Sequence, residues 1–276
     1  MDWSKIKTIF IISFLILDSY LMYEFFKMQD VNEIEKQTTT NASIEKRLMA
    51  DEIEYVTLPK GYVEDHYLKA KPKVFTDEDI QNEILDDQVI EIISDTVLES
   101  ILEEPLEITD NFGRSELNSY IKSHVLNGDQ YRFWERSMDG RTITYYQHFD
   151  GKTSFGNING RLVFDINDDN EIYSYTQSYF EEVKELSKSE KIIQPINAIE
   201  TLYTNGFLQP KSKITEVELG YYTLVPLSDK AQILNPAWCF VIDGNENLFV
   251  SAFEGKIIEG KIIEGKIINL NNNEKK

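Results

Sequence analysis

An α+β domain carried behind a single N-terminal membrane helix is the fold class this sequence predicts, and three observations predict it. Residues Ile6 to Phe26 form an apolar run led by Lys5 and Lys7. Beyond residue 110, a short amphipathic segment followed by alternating, strand-like runs occurs twice. Between those runs stand Asp139-Gly140, Asp150-Gly151, Asn159-Gly160, Asp168-Asp169-Asn170 and Asp243-Gly244, which are the residues that tight hairpin turns favour.

About 21 apolar residues at ~1.5 Å rise span ~31 Å, the thickness of a bilayer's hydrocarbon core. The alternative is a cleaved signal with Ile9–Leu17 as its apolar centre. Cleavage wants small residues at alternating positions just beyond, and Asp18-Ser19-Tyr20-Leu21-Met22-Tyr23 follow instead, so the segment reads as an uncleaved anchor. Lys5 and Lys7 are the topology signal: they hold the N-terminus in the cytoplasm and place residues from about 28 onward outside. Tyr20 and Tyr23 fall at the outer interface, where aromatic side chains collect. Asp18 inside such a helix costs about 2.5–3.5 kcal/mol. By helical spacing it shares a face with Ile11, Phe14, Leu15, Met22 and Phe25. That face is the expected partner-binding surface, with Asp18 bonding a group on another membrane helix. The other reading is that Asp18 reaches water at the outer interface or is protonated.

The expected organisation is a cytoplasmic N-terminus (1–5), the membrane helix (6–26), a stalk (27–42) that is partly helical and then flexible, and an external N-terminal part (43–110). Two helix-plus-meander units (111–190 and 191–258) and a repetitive tail (259–276) follow. Ser43 caps a short helix over Ile44–Glu52 with Leu48 and Met49 on its apolar side. Tyr62–Phe75 is strand-like, Thr76-Asp77-Glu78-Asp79 opens a helix toward Ile80 and Ile84, Val89–Ile93 is a strand, and Pro105 closes the section. In the first unit a helix over Ser115–Val125 carries Leu117, Ile121 and Val125 on one face. Strands follow over Tyr131–Ser137, Arg141–Phe149, Gly160–Ile166 and Glu171–Glu181. In the second, a helix over Pro195–Asn205 carries Ile196, Ile199, Leu202 and Tyr203 and ends at Asn205-Gly206. Strands over Lys213–Pro226, Pro236–Asp243 and Asn247–Phe253 complete it. Helix then meander, twice, implies helices laid on antiparallel sheets. The end of the chain repeats Glu-Gly-Lys-Ile-Ile at 254–258, 259–263 and 264–268, a five-residue period that fits no helix face.

Composition narrows the function. The 276 residues carry a formal charge of −20, while the first 30 carry only −1. So acidic a domain excludes nucleic acid as a partner and disfavours adhesion to anionic lipid. Cys239 is the one cysteine; it lies in a strand-like run with no accompanying redox motif and reads as a strand side chain. No catalytic, metal-binding or cofactor-binding residues are singled out. His66, His124 and His148 are isolated in sequence and lack metal-ligand spacing. Asp165-x-Asn167-x-Asp169 opens like a calcium loop but has Asn170 at the sixth position and Thr176 at the twelfth, so it reads as a hairpin turn. Tyr145-Tyr146, Tyr173/Tyr175 and Tyr221-Tyr222 fall on strands, where one of each neighbouring pair points inward. Their outward members either form a binding face or simply suit strands.

The opening Met1-Asp2-Trp3-Ser4-Lys5-x-Lys7, with Ile9–Ile12 and Phe14-Leu15-x-Leu17-Asp18, resembles the YycI (WalI) family. Pro236-Ala237-Trp238, Asp243-Gly244 and Phe249–Phe253 with Gly255 also look like this family and its YycH relatives. The resemblance extends to about residue 258 and leaves the EGKII tail unmatched. It implies a non-enzymatic, single-pass regulator in the cell membrane of Gram-positive bacteria. Its implied partners are a YycH-type protein and the WalK (YycG) sensor histidine kinase, whose output in cell-wall homeostasis it tunes. The alternative is an external ligand- or ion-binding sensor domain; a wall-acting hydrolase would need a carboxylate pair that the sequence does not single out.

Overall fold

The N-terminal stretches expected as membrane helix, stalk and short third helix form one continuous helix, α1 (Trp3–Ala50). The computed structural model describes residues 3–81, 85–108, 114–223, 231–258, 261–263 and 266–268. The expected break at 27–42 does not occur, because no proline or glycine precedes Pro59. The helix stops at Glu52, whose φ is +56°. There the Ile53 N–H donates to Leu48 O (2.9 Å) and the Glu52 N–H to Met49 O (3.2 Å). These are the two reverse bonds of a Schellman cap. Leu48 is buried, whereas Met49 is exposed. Among the described residues no helix is long and apolar enough to cross a membrane.

The chain divides into two units, Met1–Glu54 with Gln209–Lys211, and Tyr55–Leu208 with Ser212–Lys276. In the first, the Lys211 N–H donates to Asp51 O at 2.8 Å. The strands and remaining helices run β1 (Glu54–Tyr55), β2 (Glu64–Asp65), β3 (Leu68–Pro72), α2 (Asp77–Ile80), β4 (Gln88–Ser94), β5 (Val97–Glu107) and α3 (Arg114–His124). They continue as β6 (Tyr131–Arg136), β7 (Thr142–Phe149), β8 (Lys152–Phe155), β9 (Arg161–Ile166), β10 (Glu171–Gln177), β11 (Phe180–Glu185) and β12 (Glu190–Lys191). Last come α4 (Pro195–Thr204), β13 (Lys213–Tyr222), β14 (Gln232–Ile242), β15 (Glu246–Ser251) and the tail strands β16 (Lys261–Ile263) and β17 (Lys266–Ile268).

Helix followed by meander does occur twice, and the two meanders join into one large mixed sheet. Its path is β11-β3-β14-β13-β8-β7-β9-β10-β5-β4, with β6 paired to β7 and β15 to β14. The joint between β8 and β13 is parallel and two residues long, Tyr221 opposite Ser154 and Tyr222 opposite Phe155. The tail strands β16 and β17 pair with each other.

Local chemistry explains the elements. Thr76 N–H and Oγ–H both donate to Asp79 Oδ2 (2.8 and 2.9 Å), closing the start of α2; Ile84 lies outside the described residues. Asp150-Gly151 and Asp243-Gly244 have positive φ at both positions, the twist that two-residue hairpins need. The Asp165–Asp169 stretch is a turn, as expected. Asn167 Oδ1 accepts the N–H of Asp169 (3.0 Å) and of Glu171 (2.9 Å), turning β9 into β10. Pro105 does not end the section, because it falls in a register shift where β5 bulges opposite Ile172–Ser174 of β10, and a bulge tolerates a missing donor. Pro236 sits where β14 exchanges one neighbour for another, β3 up to Leu234 and β15 from Ala237.

The core follows the expected helix faces. Leu117, Ile121 and Val125 are buried with Leu98, Leu102, Tyr145, Phe164 and Tyr175 in one cluster, each worth about 1.5–3 kcal/mol. On α4, Ile196, Ile199 and Leu202 are buried and Tyr203 is half-exposed. Of these tyrosines only Tyr173 faces outward. Tyr221 and Tyr222 point to opposite sides of β13, one into a cluster with Leu68, Ala70, Phe180 and Leu234, the other into a cluster with Phe155, Cys239 and Phe249. Both sides of the sheet are covered there, so period two buries both members; Tyr145 and Tyr146 are likewise buried, and Tyr173 is exposed. Cys239 is a buried strand side chain whose thiol is pushed well up by burial.

Gly220 precedes the parallel joint for a steric reason. A Cβ there would stand 2.3 Å from Phe155 Cε2 and 2.4 Å from Thr153 O. Gly220→Ala is therefore expected to cost at least the ~1–3 kcal/mol of an overpacked core. A urea midpoint unchanged from wild type would contradict this packing.

Candidate functional site

In the sheet unit, the joint that brings β8 to β13 also gathers the polar side chains that sequence separates most widely. Lys152 begins β8 directly after the Asp150-Gly151 turn, and Tyr221 lies on β13 beside Gly220. Asp65, at the end of β2, lies between them. Its carboxylate is 1% exposed and is met by Lys152 Nζ at 2.7 Å. The Tyr221 hydroxyl donates to Asp65 Oδ1 at 3.0 Å, and the His66 N–H donates to the same oxygen at 2.9 Å. Lys152 Nζ also lies 3.4 Å from the Tyr221 oxygen and 5.4 Å from its ring centroid. Burial, then the neighbouring Asp65 charge, pushes the Tyr221 hydroxyl far above the usual phenol range. Tyr221 is thus a fixed donor and not a base.

Above this tie opens a cleft of about 450 Å³, within the usual range for small-molecule sites. Its apolar floor is Leu68, Phe149 and Val183, continuous with the cluster beneath Tyr221. Its polar wall includes His66, Gln130, His148, Asp150 and Glu185. His66 Nε2 stands 3.4 Å from Glu185 Oε1. The Nδ1 atoms of His66 and His148 are buried and have no hydrogen-bond partner. Burial first, and then the Arg132 charge, holds His148 below its ordinary value, so its ring is neutral at neutral pH. Among the described residues no group of three or more His, Cys, Asp or Glu is placed to hold a metal ion.

Sequence reading passed over Asp65, Lys152 and Glu185 as site residues, weighed Tyr221 only as a member of a tyrosine pair, and found the two histidines isolated. The available signals were a charged trio, Glu64-Asp65-His66, inside a strand-like run, and a lysine placed just past an Asp-Gly turn. Neither says that strands so far apart in the chain meet.

The residues singled out by sequence lie on α1, in the other unit. Ile11, Phe14, Leu15, Asp18 and Met22 are all exposed there, and the side chains of Lys5 and Phe25 lie outside the described ones. Lys7 stands 5.5 Å above the Trp3 ring, and Phe10 stacks on Phe14 at 6.1 Å. Ser19 donates its hydroxyl to Leu15 O at 2.8 Å, so it offers that proton to no other helix.

Because His148 takes up a proton more readily in the unfolded chain, its contribution opposes folding as pH falls through about 6.5 toward its depressed value in the fold. Above about 6.5 that penalty is absent. His148→Gln should therefore lose less stability than wild type between pH 7.5 and pH 5.5 when urea midpoints are compared. Equal losses would mean that the ring is not desolvated.

A family model described as YycI protein matches residues 31–253. The matched stretch leaves out the opening Met1–Asp18 motif and the repeated tail. Among curated proteins none matches the chain. Among solved structures, an uncharacterized protein from Eubacterium rectale ATCC 33656 is 10% identical, with 76% of this chain and 92% of that chain covered and a TM-score of 0.45. The Bacillus megaterium YpeB C-terminal domain is 11% identical, covering 67% and 96% at a TM-score of 0.41. YycH from Bacillus subtilis is 13% identical, covering 70% and 54% at a TM-score of 0.38.

Proposed function

This chain belongs to the YycI family, and on that premise we propose that it is a non-enzymatic regulatory subunit anchored in the cell membrane by residues 6–26. The domain beyond the anchor lies outside the cell. Its partners are a WalK (YycG)-type sensor histidine kinase and a YycH-type accessory protein, and through them it tunes two-component signalling in cell-wall homeostasis. The family match over residues 31–253 carries this reading. The apolar run after Lys5 and Lys7 and the exposed face of Ile11, Phe14, Leu15, Asp18 and Met22 support it. An apolar face with one acid suits a second helix in lipid, where Asp18 gains a partner it lacks in hydrocarbon.

The mechanism is a bias on the kinase's signalling equilibrium. A subunit that packs better against one of two kinase states shifts their populations by its difference in binding energy. A difference of about 1–3 kcal/mol changes the ratio roughly 5- to 150-fold, which is ample for tuning. A second reading, an external small-molecule sensor, is favoured by one observation, the cleft above Asp65.

Co-purification from native membranes tests the first reading. Wild type is expected to capture the kinase and the YycH-type protein, and Asp18→Leu, at equal expression, to lose roughly five- to thirtyfold of that capture for a helix–helix bond of about 1–2 kcal/mol. Equal capture by both would remove Asp18 from the interface, and capture of no kinase by wild type would end the regulatory reading.

A further inference from the structure

The large sheet ends on β4, which among the described residues pairs with β5 alone. The Glu103 N–H donates to Asp87 O at 3.2 Å, and in an antiparallel ladder bonded pairs alternate along the strand. With Val89 opposite Ile101 and Glu91 opposite Glu99, the backbone groups of residues 87, 89 and 91 turn toward β5. Those of Gln88, Ile90 and Ile92 turn toward the open edge, as a row of donors and acceptors that a further strand can use. The strand is held firmly from beneath. Ile90 and Ile92 pack on the core, and Gln88 Nε2 donates to His124 O at 2.9 Å.

The outer face of this edge is apolar with a charge conflict. Val89 is 59% exposed, Ile93 51% and Ile101 50%. Glu91 and Glu99 stand directly opposite each other, an arrangement that costs stability. The next residues in their row are Thr176 on β10 and Val163 on β9, so no cation in that row relieves the pair. A second β4 strand laid on the edge would bring Glu91 and Glu99 twice over onto one narrow patch. The edge therefore suits an apolar strand that carries cations.

The tail has that composition. β16 and β17 both read Lys-Ile-Ile, and among the described residues they pair only with each other. Two strands alone are marginally stable, and a third is what they need. The hairpin cannot reach β4 of its own copy. Ile258 packs in a cluster with Phe249, against which Trp134 of β6 also rests. From β6 the order runs β7, β9, β10, β5, β4, which at ~4.8 Å per strand is ~24 Å. Three residues from Ile258 to Lys261 span at most ~11 Å, and the hairpin's own length adds only ~10 Å.

We propose that the Lys-Ile-Ile tail of one copy adds to the open edge of β4 in a second copy, its lysines meeting Glu91 and Glu99 and its isoleucines meeting Val89, Ile93 and Ile101. Tail and edge belong to opposite ends of the sheet, so the contact is head-to-tail and links neighbouring copies. It goes beyond the regulatory reading and requires neither the kinase nor a ligand.

Hydrogen exchange of the full chain in excess detergent micelles, read by mass spectrometry over residues 88–94, tests this. Wild-type exchange there is expected to slow as protein concentration rises. A chain ending at Ile258, and separately full-length Glu91→Lys with Glu99→Lys, should each exchange at least tenfold faster over β4 and show no concentration dependence. Unchanged exchange over β14 would confirm that both remain folded. Mixing the two variants should restore slow exchange to β4 of the shortened chain, whose peptide differs in mass from the substituted one. Mixing shortened chains with each other should not. Exchange over β4 that is the same in wild type and the shortened chain would overturn the proposal, because the edge would then be open or paired without the tail. Failure of the mixture to restore protection would overturn it too, since the tail would not act between copies.

Discussion

The interaction on which the sheet unit most depends is the buried contact of Asp65 with Lys152 and Tyr221. Three strands from distant parts of the chain meet there. β8 and β13 touch through only two residue pairs, and the other backbone link between the meanders runs through β3, which lies between β11 and β14. A buried carboxylate and ammonium each lose several kcal/mol of hydration. The loss is offset where the geometry satisfies the charges, and Asp65 accepts from an ammonium, a hydroxyl and a backbone N–H at 2.7–3.0 Å. Charge-assisted hydrogen bonds of this kind contribute about 1.5–3 kcal/mol each. Gly220 serves the same joint by leaving room for Phe155.

What could be read from the sequence was whatever is local. The apolar faces of Leu117, Ile121 and Val125 and of Ile196, Ile199 and Leu202 specify helices that bury those residues. The Asp-Gly pairs specify turns, and the Asp165–Asp169 stretch specified a turn even though it imitates a metal loop. What escaped was set by long-range pairing. β5 continues through Pro105 because its neighbour shifts register there, and β14 tolerates Pro236 because it changes partners there. Tyr145-Tyr146 and Tyr221-Tyr222 looked amphipathic by period two, yet both sheet faces are covered where they lie. At the N-terminus, three expected segments merged because nothing in 27–42 terminates a helix. The cleft was illegible for the same reason as the joint: His66, His148, Lys152 and Tyr221 share no sequence signal, only a topology.

The two candidate surfaces have different physics. The face around Asp18 is exposed and apolar, with one acid. The cleft above Asp65 has a polar wall over an apolar floor. Cys239 is buried and its thiol held protonated, and Tyr221 is held as a donor.

The most direct measurement is a double-mutant cycle between Asp65 and Lys152, read by urea unfolding of Asp65→Leu, Lys152→Met and the double variant. Each single change strands a buried charge and is expected to cost about 3–5 kcal/mol. The double variant should cost well under the sum, with a coupling of at least ~2 kcal/mol. If the two costs simply add, the charges do not depend on one another, and the joint between the meanders is held by something else.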